Sequence, residues 1–191
     1  MSRRRRARGY TVVELMTSLG VFAMGVTGIF AMQRLTLNSN QHARNLTLAS
    51  GIAQGWLSQL SADSSLWRGN GNESATAWLS SVNTSDNVWQ LPNDSSALRA
   101  SRDFSRAFDG RGMPVNPAGD PVFCVHVRIT RLFVNPVGNG LTRTDVRVFW
   151  PRDGEARIDG DCVDPGTVAQ VAADTGRYHF VYRTGAVRQQ P

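Results

Sequence analysis

The sequence predicts an α+β fold, with one long N-terminal helix packed on a C-terminal antiparallel sheet that carries one disulfide. Three observations lead there. An apolar run fills Tyr10–Gln33, helical periodicity continues past it to about residue 62, and the last third of the chain alternates apolar and polar residues with a period of two.

The first run is apolar apart from small polar residues and one charge, Glu14. Its 24 residues would span about 36 Å as a helix, against a hydrocarbon core of roughly 30 Å. Beyond it, Leu46, Ala49, Ala53, Trp56, Leu57 and Leu60 fall at spacings of three and four, with Asn45, Ser50, Gln54, Ser58 and Gln59 opposite. That is an amphipathic helix, and no proline separates it from the apolar run. One element from Tyr10 to about Ala62 would be roughly 80 Å long.

Residues 61–120 are rich in Ser, Asn, Asp and Gly, with turns expected at Gly69-Asn70-Gly71 and Pro92-Asn93-Asp94 and a short helix around Ala75–Val82. Trp67, Trp78 and Trp89 recur every eleven residues. They close the core over helix and sheet, or they form an exposed set for adhesion or for contact with another subunit; the first reading is preferred. Asn72 and Asn83 head Asn-x-Ser/Thr triplets that a Ser/Asn-rich stretch produces by chance.

Three strands follow. Phe123, Val125, Val127, Ile129 and Phe133 alternate with Cys124, His126, Arg128, Thr130 and Leu132. Val146, Val148 and Trp150 alternate with Asp145, Arg147 and Phe149, and Tyr178, Phe180 and Tyr182 with His179, Val181 and Arg183. Turns at Asn135–Gly140 and Arg152–Glu155 separate them, and the short first loop makes the first pair an antiparallel hairpin.

All 21 basic residues are arginine, and the formal net charge is +6. Five of them, Arg3, Arg4, Arg5, Arg6 and Arg8, precede Gly9, so without residues 1–9 the charge falls from +6 to +1. A basic cluster ahead of an apolar run is a targeting feature that holds the N-terminus on the cytoplasmic side and sends the body across. The balance that remains argues against a broad nucleic-acid footprint, although Arg99, Arg102 and Arg106 could form a local stripe at helical spacing. An even cysteine count in an exported chain predicts the bond Cys124–Cys162. No catalytic or nucleotide-binding motif occurs, so no enzyme, cofactor or metal is expected. His42, His126 and His179 lie in different elements; His126 and His179 could meet across the sheet as paired surface histidines. Asp159, Asp161 and Asp164 lack the spacing of a calcium loop and read as a solvated acidic turn.

A cleaved signal peptide or a permanent signal anchor would account for basic-then-apolar, but neither needs Glu14, whose charge in lipid costs on the order of a few kcal/mol; Ser2-Arg3-Arg4 would start a twin-arginine signal, but more arginine follows in place of the expected apolar pair. The stretch Arg8-Gly9-Tyr10-Thr11-Val12-Val13-Glu14-Leu15 resembles the type IV prepilin signature. The resemblance implies a leader, residues 1–9, cut by a prepilin peptidase between Gly9 and Tyr10. It implies N-methylation of Tyr10, which stands where the family usually has Phe, and makes Glu14 the fifth mature residue. Residues 10–34 would then be the transmembrane and filament-core helix. Residues 35–191 would be the periplasmic or extracellular pilin body, with 35–62 the second half of the helix. The new amine on Tyr10 and the Glu14 carboxylate of a neighbouring subunit would offset one another's cost in the membrane and set the register of assembly.

Leu46–Gln54 and Val146-Arg147-Val148-Phe149-Trp150-Pro151 are similar to segments of PilV-like minor pilins. What this implies is a non-catalytic minor pilin that primes assembly or forms the tip of a pilus used for motility, adhesion or DNA uptake. Its implied partners are other minor pilins, the major pilin, the peptidase and the inner-membrane assembly platform, with the inner membrane as its site before assembly and the extracellular pilus afterwards. A minor pseudopilin of a type II secretion system is the alternative within the superfamily. A DNA-receptor pilin and a signal-anchored periplasmic protein are the alternatives of other classes.

Overall fold

A computed structural model describes residues 11–67, 76–82, 87–133, 140–152, 158, 160 and 162–188. The chain divides into two compact units, residues 1–44 and 45–191. Helix α1 runs from Val12 to Asp63, ends in a 3-10 turn at Ser64–Leu66, and contributes to both.

In the first unit the helix passes through Gly20, Gly25 and Gly28 without a break. Helical Gly costs up to about 1 kcal/mol relative to Ala. A Cβ at any of the three would meet nothing within 4 Å, so no contact among the described residues demands glycine there.

The second unit is built on an antiparallel sheet of order β1-β2-β3-β4, formed by Ala107–Phe108 (β1), Phe123–Phe133 (β2), Leu141–Pro151 (β3) and Tyr178–Arg188 (β4). The three long strands are those expected, although β3 begins earlier and β4 runs on to Arg188. The imperfect alternation near Phe133 has a cause: the β2–β3 register shifts between Arg131 and Phe133. Two residues of β1 are too few to leave a periodic signal. The turn expected at Arg152–Glu155 and the one at Asn135–Gly140 lie almost wholly outside the described residues, as does Gly69-Asn70-Gly71.

One face of the sheet packs on α1. Ala49, Ile52, Ala53, Trp56 and Leu60 are buried with Val125, Val127, Ile129, Val146, Val148 and Trp150. Ile52 belongs to this stripe, whereas Leu46 is exposed, so the buried face is rotated slightly from the one read in the sequence. Trp67 and Trp78 are fully buried in the same core, and Trp56 sits 5.2 Å from Trp78 and 5.0 Å from Phe104 between ring centroids. Its indole N–H donates to the Ser105 carbonyl at 3.1 Å. Around Trp78 there are turns, closed by Leu79 N–H to Thr76 O and Val82 N–H to Leu79 O, and not the short helix expected. Trp78, Leu79 and Val82 are all buried there.

The other face of the sheet carries a second core of Ala107, Cys124, Phe149, Ile158, Cys162, Val171 and Tyr178. It lies under the short helix α3, Val168–Ala173, and the disulfide-bonded loop. Strand β3 is therefore buried on both faces from Thr144 to Pro151 save for the side chains at its start. Helix α2, Ser96–Arg102, is capped by the Ser95 side chain, which accepts from Leu98 N–H. The buried Asp94 carboxylate ties its flanks together by accepting from Ser105 Oγ at 2.6 Å, Arg106 N–H at 2.9 Å and the Arg99 guanidinium.

Asp63 is a buried carboxylate in the last turn of α1, where the helix dipole opposes it. One oxygen accepts from Gln59 at 3.3 Å and lies 3.8 Å from Arg102, and the other has no hydrogen-bond partner. Burial pushes its pKa up, with Arg102 and Gln59 pulling it back. A carboxyl held above its unfolded value favours the fold below the unfolded pKa, and that advantage is lost as pH rises through the folded pKa. Asp63→Asn should therefore raise stability by about 1 kcal/mol at pH 7 and have no such effect below pH ~3.5. Urea midpoints at the two pH values check this; a lower midpoint for the variant at pH 7 would mean that the Arg102 attraction outweighs burial.

Candidate assembly segment and the body it carries

Gly9 and Tyr10 lie outside the described residues; Glu14 lies in the first turn of α1. The local sequence dictates the start of this helix. Thr11 stands at the cap position, and its hydroxyl accepts from the Glu14 backbone N–H at 3.3 Å. Thr11-Val12-Val13-Glu14 has the Ser/Thr-x-x-Glu spacing of a capping box, a signal present in the sequence that the prepilin resemblance overshadowed. Only the forward half is made: the Glu14 carboxylate has no ion pair or hydrogen bond among the described residues. An acidic group in the first turn is favoured by the helix dipole by a few tenths of a kcal/mol. That helps it tolerate its surroundings without neutralising it.

Those surroundings are apolar and uncovered. Val12, Val13, Leu15, Met16, Leu19 and Phe22 are each more than half exposed. Thr17, Ser18, Thr27 and Thr36 turn their hydroxyls back on carbonyls three or four residues earlier, so these four hydroxyls are satisfied within the helix. It is the one helix among the described residues that is long and apolar enough to cross a membrane, and it lies near the N-terminus, which fits a single-pass anchor.

In the body, Cys124 and Cys162 are bonded and wholly buried. The other sequence candidates separate. Arg99, Arg102 and Arg106 do not share a free stripe: Arg99 pairs with Asp94, Arg102 lies 3.8 Å from Asp63, and Arg106, outside α2, donates to the Pro92 carbonyl. Two of the three are drawn to internal carboxylates. His126 and His179 do not meet, because β3 runs between their strands. His126 is buried against Arg147, and His179 lies 5.3 Å from the Trp150 ring. Asp159 and Asp161 lie outside the described residues; Asp164 accepts from Gly166 N–H and caps the 3-10 turn Pro165–Thr167. No group of three or more His, Cys, Asp or Glu placed to hold a metal occurs among the described residues.

One constellation was missed in the sequence. Arg147, on the outward face of β3, is 1% exposed, yet Asp145, the nearest acid on its strand, is taken by Arg128 and Arg143. Arg147 instead donates to His126 Nδ1 through Nε at 3.1 Å and to the Val168 carbonyl through Nη2 at 2.9 Å. Its guanidinium lies 4.7 Å from the centroid of the Trp89 ring, and that of Arg128 lies at the same distance. Burial pushes the Arg147 pKa down to about 10, with Tyr182 pulling it up and Arg128 adding to the fall. So Trp89, alone of the three spaced tryptophans, is only half-buried, and it serves as a π-lid over two arginines. Alternation marks Arg147 as outward-facing and therefore exposed; nothing local announces that a distant tryptophan and α3 cover it.

No family model, no curated protein and no solved structure matches this chain.

Proposed function

We propose that the chain is a minor subunit of a type IV pilus, made as a precursor, cut after Gly9 and stored in the membrane through the first half of α1 until assembly. The observation that carries the reading is the Glu14 carboxylate, unpartnered among the described residues, at the head of an uncovered, membrane-length apolar helix. A carboxylate in that position needs a cation to offset its cost, and the amine freed at Tyr10 by cleavage supplies one of the right charge. Gly20, Gly25 and Gly28, which no contact among the described residues requires, suit close packing of this helix among others. The disulfide-bonded body suits an oxidising compartment outside the cytoplasm. In this role the protein has no catalytic step: the membrane helix becomes filament core, and the body faces out as a priming or tip subunit.

Intact-mass and N-terminal analysis of the protein from membranes and sheared filaments tests the reading. The expected species begins at methylated Tyr10; a chain that keeps Arg3–Arg8 in cells with an active prepilin peptidase overturns it. Glu14→Gln should still be cleaved but should fall at least ~10-fold in sheared filaments, because an uncompensated ammonium in the fibre core costs more than the ~1.4 kcal/mol that a factor of ten represents. Incorporation of the variant at the normal level would remove Glu14 from the assembly step.

A further inference from the structure

The two edges of the sheet differ. On the β1 side the edge is blunted: β1 has two residues, Gln90 closes an isolated bridge to Val127, and β2 carries the register shift. Short strands and irregularities of this kind keep an edge from pairing with other chains. On the other side β4 pairs with β3 through eleven consecutive residues, Tyr178–Arg188, with no shift, and β4 itself contains no proline. Among the described residues no strand pairs with its far side, and Tyr182, Arg183, Thr184, Ala186 and Arg188 are exposed.

Beside this edge runs a groove of about 620 Å³ between the last turns of α1 (Leu57, Ser58, Ser61) and Gly185–Val187 of β4. Gly185 shapes it. A Cβ there would stand 3.3 Å from both Leu57 Cδ2 and Thr144 Oγ1, so its absence lets the helix lie close over the strand while the strand backbone stays bare. A bare strand edge offers main-chain hydrogen bonds, and an adjoining groove receives every second side chain of whatever pairs with it; together they form a strand-addition site.

We infer that β4 accepts a fifth strand, an extended acidic segment of another polypeptide. The charge argument is specific. Arg183 and Arg188 make no ion pair among the described residues, and neither β4 nor the groove lining contains an acid. The nearest carboxylate, Asp145, is held by Arg128, Arg143 and the Thr184 hydroxyl on the face away from the groove. A second copy of β4 is the wrong occupant, since it would bring four arginines into one ribbon with no counter-charge. The inference rests on the body alone and not on how the N-terminus is processed.

The test is a photo-crosslinking residue, p-benzoylphenylalanine, at Ala186 in the full chain expressed in its own cells, with the same residue at exposed Met113 as control. Expected is an adduct at position 186, absent at 113, whose partner peptide carries Asp or Glu in an extended stretch. Arg183→Glu with Arg188→Glu should cut its yield at least ~10-fold while the thermal midpoint stays unchanged, and the two arginine-to-lysine changes should largely preserve it. No adduct at 186, an adduct to a second copy, to lipid or to a helix, or one that survives charge reversal each overturns the inference. None of these outcomes bears on the N-terminal analysis, so the two readings fail separately.

Discussion

Arg147→Ala should destabilise the body by about 3 kcal/mol. The truncation opens a cavity beneath Trp89, takes away the donor that Arg147 gives to buried His126 Nδ1, and leaves the Val168 carbonyl with only its bond inside α3. An orphaned acceptor costs about 1–3 kcal/mol and the lost packing a similar amount. Part is offset because an arginine whose pKa burial has pushed down to about 10 is itself costly to keep charged. Arg147→Met separates the two contributions: it restores the stem's packing and removes the buried charge, so it should lose less than the alanine variant. Because His126 must be neutral and bare at Nδ1 to accept from Arg147, His126→Phe combined with Arg147→Met should recover part of the loss, since no acceptor on the histidine is then left stranded. Urea unfolding of the four proteins measures this. An Arg147→Ala variant within ~0.5 kcal/mol of the parent would mean that water reaches the site and supplies the missing donors.

Removing the disulfide should cost a comparable amount. Cys124 and Cys162 are 38 residues apart, and closing a loop of that length constrains the unfolded chain by about 3–4 kcal/mol in the chain-entropy account. Position sharpens the expectation. Cys124 lies in β2 and Cys162 in the loop leading to α3, and both are in the second core with Phe149 and Tyr178. Cys124→Ala with Cys162→Ala should therefore lower the midpoint and also loosen α3 and the Val168 carbonyl that holds Arg147. Amide exchange should rise first in residues 162–173 and later in the α1 face of the sheet. Uniform exchange throughout the body would show that the two cores unfold together.

The strands and the long helix were legible in the sequence because both are periodic and long. The β2 limits coincide with the alternation read from Phe123 to Phe133, and α1 covers both the apolar and the amphipathic runs. What escaped has no local period. Strand β1 has two residues, α2 has seven, and Asp94 gathers donors from positions 99, 105 and 106. The short helix expected near Trp78 failed because a plug of buried residues can be built from turns as well as from a helix. For the candidate segment, Glu14 was legible as an anomaly, an acid in an apolar run, and its exposure in the structure keeps it one. The Arg147–Trp89 pairing was not legible, since it joins residues 58 positions apart across a face that alternation alone assigns to solvent.

The buried stripe of α1 is completed by residues that come more than sixty positions later. Ala49, Ile52, Ala53, Trp56 and Leu60 leave the ribosome well before Phe123, and their last cover, Val181 and Val187, comes at the end of the chain. Throughout synthesis the stripe therefore stands bare. Folding of the body must await the final strand. In the interval the amphipathic half of α1 is the place where a chaperone would have to hold the chain, and any ribosome stall or truncation ahead of β4 leaves that surface open to aggregation.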